Sequence, residues 1–119
     1  MLLRVSVDSP EDFAAWVHSQ QQAAVQDASV AAGRRVFESN ACMNCHAVGA
    51  TPANGRFGPD LTHLMSRATI ASGAAPNTPE QLRLWIQDPN KIKPGSLMPA
   101  MQLSDRDLDA VVGYMETLR

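Results

Sequence analysis

"CMNCH", residues 42–46, holds both cysteines of a 119-residue chain, three positions apart, with a histidine directly after the second. Three chemistries use cysteines spaced this closely: a disulfide or redox pair, half of a zinc site, and covalent attachment of a haem. A structural zinc ion takes four protein ligands and a catalytic one takes three plus water. Cys42, Cys45 and His46 do not easily reach one metal together, and no second cysteine pair exists. A thioredoxin-type pair wants a βαβ context, and this chain reads as helical. C-x-x-C-H is the attachment signature of c-type haem. In it two thiols bond the porphyrin vinyl groups, and the adjacent imidazole is pinned beneath the iron. The spacing matters because one short turn must span both vinyls and still aim the ring.

Outward from this motif, three helix starts are marked by their caps. In "SPED" (9–12) Ser9 caps, Pro10 takes the first helical position and Asp12 the capping-box position. "TPEQ" (78–81) repeats the device with Thr78, Pro79 and Gln81, and "SDRD" (104–107) supplies Ser104 and Asp107. Apolar residues follow each start at helical spacing: Phe13, Trp16 and Val17; Leu82, Trp85 and Ile86; Leu108, Val111, Val112, Met115 and Leu118. Pro89 stops the middle helix. A further helix begins near Asp27 or Ser29, and in it Gly33 and Phe37 share one face. Glycine there costs about 1 kcal/mol against alanine, which close helix packing would explain. Residues 48–59, 71–77 and 91–100 read as loops, rich in Gly and Pro. The one strand-like run is "LLRVSV" (2–7), which has no partner strand and cannot persist alone. "QQQAAVQDAS" (20–29) reads as a polar, alanine-rich linker. The expected organisation is an N-terminal remnant over 1–24 and an all-α domain over 28–119.

Composition narrows the function classes. Hydrophobic residues at 45% and charged residues at 18% suit a soluble globular domain, while aromatics at 5% leave a core that a buried cofactor would fill. A net charge of −2 offers no basic face for nucleic acid. No apolar run reaches the roughly 18–20 residues of a membrane span, and no signal-peptide pattern opens the chain. The expectation is either a cytosolic protein or a piece of a longer one.

An iron held by His46 needs a second ligand or an open position, and a His/Met pair raises the potential. Of the six methionines, Met115 and Met65 read as core, Met43 lies between the cysteines and Met1 is remote. Met98 and Met101 lie in a Pro/Gly-rich loop able to present a side chain, and the residues alone leave both open. His18 and His63 are rival ligands, both expected at the surface.

From about residue 30 onward the chain resembles the class I cytochromes c. Gly33 and Phe37 match the family's first-helix packing pair, and Tyr114 its partner on the last helix. "GPDL" (58–61) places Pro59 at the proline whose carbonyl accepts from the proximal histidine. "LRLWIQDPNKIKPGSLMP" (82–99) matches the helix and loop that end in the ligand methionine. The resemblance implies an all-α class I cytochrome c fold with one covalent haem c on Cys42 and Cys45. It implies His46 and Met98 as axial ligands and Trp85 as the aromatic beside the haem. Arg67 and Ser96 would serve the propionates, with Asn77 standing where mitochondrial relatives carry a tryptophan. The implied function is one-electron transfer, with a free-standing periplasmic carrier and a haem gas sensor or peroxidase as alternatives. Lys91 and Lys93 are candidates for steering an acidic partner.

Residues 1–24 are similar to the end of the copper-A domain in haem–copper oxidase subunit II. There a last strand leads into a short helix with an F-x-x-W pattern, here Phe13 and Trp16, and Met1 falls near a copper-binding methionine. That resemblance implies a caa3-type subunit II on the periplasmic face of the cytoplasmic membrane, anchored through its other part. Its partners would be the copper-A domain of the same subunit and an upstream cytochrome or quinol-oxidising complex.

Overall fold

The computed structural model describes residues 5–24 and 27–119. Each marked helix start forms its cap. The Ser9 hydroxyl accepts from the Asp12 amide at 3.1 Å and opens α1, Pro10–Gln20. Thr78 accepts from Gln81 at 3.3 Å and opens α4, Pro79–Gln87. Ser104 accepts from Asp107 at 3.1 Å and opens α6, Asp105–Met115. Asp27 caps a 3₁₀ turn, Ala28–Val30, that runs into α2, Ala31–Ser39. The motif cysteines bound α3, Cys42–Cys45, a single turn closed by the His46 amide on the Cys42 carbonyl at 2.9 Å. Pro89 does more than stop α4. Asp88 caps a new turn, α5 (Pro89–Ile92), with Pro89 at its first position, where a missing N–H costs nothing.

The core centres on the crossing of α2 and α6. A Cβ built on Gly33 would lie 1.8 Å from the Ala110 carbonyl oxygen and 2.8 Å from Tyr114 Cβ, so only a glycine lets these backbones meet. One helical turn on, the Phe37 and Tyr114 rings pack at 5.7 Å between centroids, tilted by 57°. Phe37, Leu108, Val111 and Leu118 are all but sealed from solvent. The α4 helix is tied to α6 at the surface by Arg83, which pairs with Asp105 at 2.7 Å and Asp109 at 2.8 Å. The chain end returns to the middle of the domain, where the Met65 amide donates to the Leu118 carbonyl at 2.8 Å.

One expectation of loop is corrected. The stretch 71–77 is not plain loop, since β1 (Thr69–Ile70) pairs antiparallel with β2 (Ala75–Pro76), Ile70 opposite Ala75. Ala71, Ser72 and Gly73 turn the chain between them with φ of 55°, 61° and 92°. Strands of two residues, one of them a proline, leave no alternation to read. At the other end, residues 5–9 form no strand; Val5 and Val7 are exposed, and the start of the strand-like run lies outside the described residues. Nor is the linker wholly loose, because Ala24 is 3% exposed; Val25 and Gln26 lie outside the described residues. Among the described residues no helix is long and apolar enough to cross a membrane.

Candidate functional site

The turn of α3 sets Cys42 and Cys45 on the wall of an apolar cleft of about 710 Å³, counting its open mouth. Both thiols are free. Burial pushes the Cys42 thiol up, with Cys45 nearby adding to the shift against the pull of a backbone hydrogen bond. His46 lines the same cleft, and its Nδ1–H donates to the Pro59 carbonyl at 2.8 Å. That bond sets the tautomer and leaves Nε2 with its lone pair free to ligate. The loop carrying Pro59 is itself fixed, since Gly58 donates to the Cys45 carbonyl at 2.7 Å and Leu61 to the Ala47 carbonyl at 2.8 Å. A Cβ on Gly58 would fall 2.4 Å from His46 Cε1 and 2.6 Å from Nδ1. Gly58 therefore leaves the space in which the imidazole stands.

The other walls come from distant parts of the chain. Leu61, Leu64 and Ile70 form one, Leu82, Trp85 and Ile86 of α4 another, and Val111 and Met115 of α6 close the depth. Met98, Pro99 and Met101 border the cleft from the loop before α6. This loop is held at two points. The Met98 amide donates to Ser96 Oγ at 3.3 Å, and the Met101 amide to the Ile86 carbonyl at 3.2 Å. Both loop methionines thus reach the cleft, together with Met115 from the core.

Of the residues singled out in the sequence, Cys42, Cys45, His46, Trp85 and Met98 meet at this cleft, and Pro59 orients the histidine. Arg67, Asn77 and Ser96 do not line it. Arg67 is exposed and its guanidinium donates to the Asp60 carbonyl. Asn77 spends both amide hydrogens on main-chain carbonyls, Leu64 at 2.8 Å and Arg67 at 2.9 Å, while its Oδ1 is buried with no partner among the described residues. It braces the turn that carries Leu64. Ser96 acts on the Met98 backbone. His18 is exposed, as expected. The surface placement expected of His63 is wrong: it is 9% exposed, and its Nε2–H donates to the Gln20 carbonyl at 3.2 Å. Sequence reasoning passed over Gly58, Leu61, Leu64 and Ile70, and only the closeness of "GPDL" to the motif hinted at the first two.

The arrangement fits a haem. Two free thiols one turn apart, an imidazole with a fixed tautomer, thioethers at the same cleft and walls without competing polar groups are what covalent haem c requires. The comparisons agree. The profile of the cytochrome c family matches residues 30–119. "Cytochrome c oxidase subunit 2" of Alkalihalophilus pseudofirmus is 37% identical over 112 residues, covering 92% of this chain and 32% of that protein. The protein of the same name from Bacillus sp. strain PS3 is 33% identical over 117 residues, with the same two coverages. Its namesake from Bacillus subtilis strain 168 is 26% identical over 126 residues, covering 100% of this chain and 35% of that protein. The chain spans about a third of the length of the oxidase subunits it matches. A cytochrome c domain binds haem covalently and carries electrons through it. On its motif, its helix crossing and the match over residues 30–119, the chain belongs to the cytochrome c family.

Proposed function

We propose that Cys42 and Cys45 hold one haem c through thioether bonds, that His46 and Met98 are the two axial ligands, and that the domain relays single electrons within a respiratory oxidase. The observation that carries this is the meeting of both cysteines, His46 and Met98 at one apolar cleft. When bound, haem supplies the one-electron Fe(III)/Fe(II) couple. The protein's part is to set the conditions for it. The Pro59 carbonyl, accepting from Nδ1–H at 2.8 Å, makes Nε2 the ligating nitrogen and raises its basicity. As second ligand, the Met98 thioether would favour the reduced state and raise the potential. Apolar walls from α4 and α6 exclude water and keep the local dielectric low. With His46 and Met98 both as ligands, the iron would be closed to small molecules, which favours a carrier over a gas sensor or a peroxidase.

The setting is part of the same proposal. Residues 1–24 belong to the end of a preceding copper-A domain and 28–119 form the cytochrome unit. Electrons arrive from an upstream cytochrome or quinol-oxidising complex and leave to the copper-A centre of the same subunit. Support comes from two of the oxidase subunits 2, whose matched segments reach into the N-terminal stretch and cover 92% of this chain. Covalent haem would put maturation on the periplasmic side, at the outer face of the cytoplasmic membrane, with anchoring through the rest of the parent subunit. Arg67 and Ser96 are assigned to the propionate side of the haem, with Asn77 behind them.

The test is direct. Acid–acetone extraction of matured protein should leave the haem on the polypeptide, and the intact mass should exceed the apo mass by one haem. Clean extraction would refute the attachment. Prompt binding of carbon monoxide by the reduced protein would refute the closed six-coordinate site.

A further inference from the structure

We infer that His63 is a positioning residue that fixes the N-terminal helix on the haem-bearing domain, so that α1 stands at one place relative to the cleft. The need for such a joint follows from α1 itself, which buries none of its own residues. Its two large aromatics, Phe13 and Trp16, stack on each other at 5.8 Å and are more than half exposed. Packing along the helix therefore does not hold it to the domain. What joins them lies at its C-terminal end, where the His63 Nε2–H donates to the Gln20 carbonyl at 3.2 Å across 43 positions of sequence, and where Ala24 is buried.

The chemistry suits a joint. Gln20 ends α1, so its carbonyl has no donor within the helix, and the negative end of the helix dipole favours a donor there. His63 is 9% exposed, and a buried ring N–H must find an acceptor. The residue is also held firmly through its main chain. Its carbonyl accepts from Ser66 Oγ at 2.8 Å and from the Ser66 amide at 3.2 Å, which locks it into the 3₁₀ turn Leu64–Ser66. Leu61 and Leu64, flanking it in sequence, are cleft walls. One buried side chain thus ties the N-terminal helix to the cleft wall. A flexible linker would average the separation of the two parts over many conformations; this contact selects one. Any redox group carried on the N-terminal side of α1 would then exchange electrons with the cleft over a set distance.

The optical test rests on the proposed haem, whereas the exchange test does not. Only two tryptophans are present. Trp85 lines the cleft and contributes equally to every variant, so changes in emission report the distance of Trp16 from the haem. The holoprotein would be compared with His63→Leu, which keeps apolar bulk without a donor, and with His63→Gln, whose amide N–H can replace the imidazole's. The leucine variant should brighten Trp16 and speed hydrogen exchange across Gln21–Ala24 by about fivefold, the loss of one ordinary hydrogen bond. Its haem absorption and potential should stay at wild-type values, and His63→Gln should restore both readouts. Unchanged emission and exchange in His63→Leu would overturn the inference, as would failure of the glutamine to restore them. Should the leucine variant not accumulate, His63→Ser carries the same expectations. Absence of covalent haem from the wild-type protein would defeat the proposed function but leave this inference to the exchange measurement.

Discussion

Replacing Gly33 by alanine adds one methyl group at the crossing of α2 and α6. Its Cβ would sit 1.8 Å from the Ala110 carbonyl oxygen, 2.6 Å from the Ala110 carbonyl carbon and 2.8 Å from Tyr114 Cβ. Two of these atoms are backbone, so no side-chain rotation relieves the clash and the helices must part by more than an ångström. Forcing a methylene into a packed core costs about 1–3 kcal/mol, and a backbone clash belongs at the upper end. Separation also disturbs the Phe37–Tyr114 pair, worth about 0.5–1.5 kcal/mol. Against this, alanine gains about 1 kcal/mol in helix propensity. The net expectation is a loss of about 2–3.5 kcal/mol, or a fall in Tm of roughly 10 °C for a domain of this size. Gly113→Ala is the control. It lies on the same α6 helix, and its Cβ would meet nothing within 4 Å. There the propensity gain stands alone, and a rise of up to about 1 kcal/mol is expected. Thermal unfolding of both holoproteins, followed by far-UV circular dichroism and haem absorption, makes the comparison. Shifts of the same sign and size would refute the close crossing as the reason for Gly33.

Gly58→Ala should push the His46 ring off its place, because the new Cβ would lie 2.4 Å from Cε1; a changed haem spectrum and a lower midpoint potential are expected, and wild-type values for both would contradict this. Met98→Ala should lose the methionine–iron absorption band and lower the potential, while Met101→Ala keeps both; the reverse pattern would hand the ligand role to Met101. Asn77→Ala removes the side-chain donor from the Arg67 carbonyl and one of two donors from the Leu64 carbonyl, which keeps the Arg67 amide at 3.2 Å, for a loss of about 1–2 kcal/mol in denaturant midpoint measurements at unchanged slope. Arg83→Ala removes two surface ion pairs and should cost no more than about 1 kcal/mol, less in high salt; a loss unaffected by salt would show that Arg83 acts by packing.

Some of this protein was settled by its sequence alone, because the physics concerned is local. A serine or threonine followed three residues on by a free amide makes a cap whatever surrounds it, and Ser9, Thr78 and Ser104 all do so. Two cysteines and a histidine within five residues must share one turn, so "CMNCH" announced its chemistry before any fold was known. Other features depended on residues far apart in the chain. His63 is a polar residue in an unpatterned stretch, and only the packed chain buries it and sets its ring N–H on the Gln20 carbonyl. Asn77 is placed in the sequence only by its resemblance to a family position, and the fold alone shows the Leu64 and Arg67 carbonyls using both its hydrogens. The β1–β2 pairing, the clearance at Gly58 and the wall of Leu61, Leu64 and Ile70 leave no periodic trace, since each arises where separate segments meet. Three methionines reach the cleft from two elements; helical spacing sets Met115 apart, but no spacing rule separates Met98 from Met101. Local hydrogen bonding and covalent spacing are encoded within a turn of the chain, whereas burial and solvent exclusion exist only once distant turns have packed.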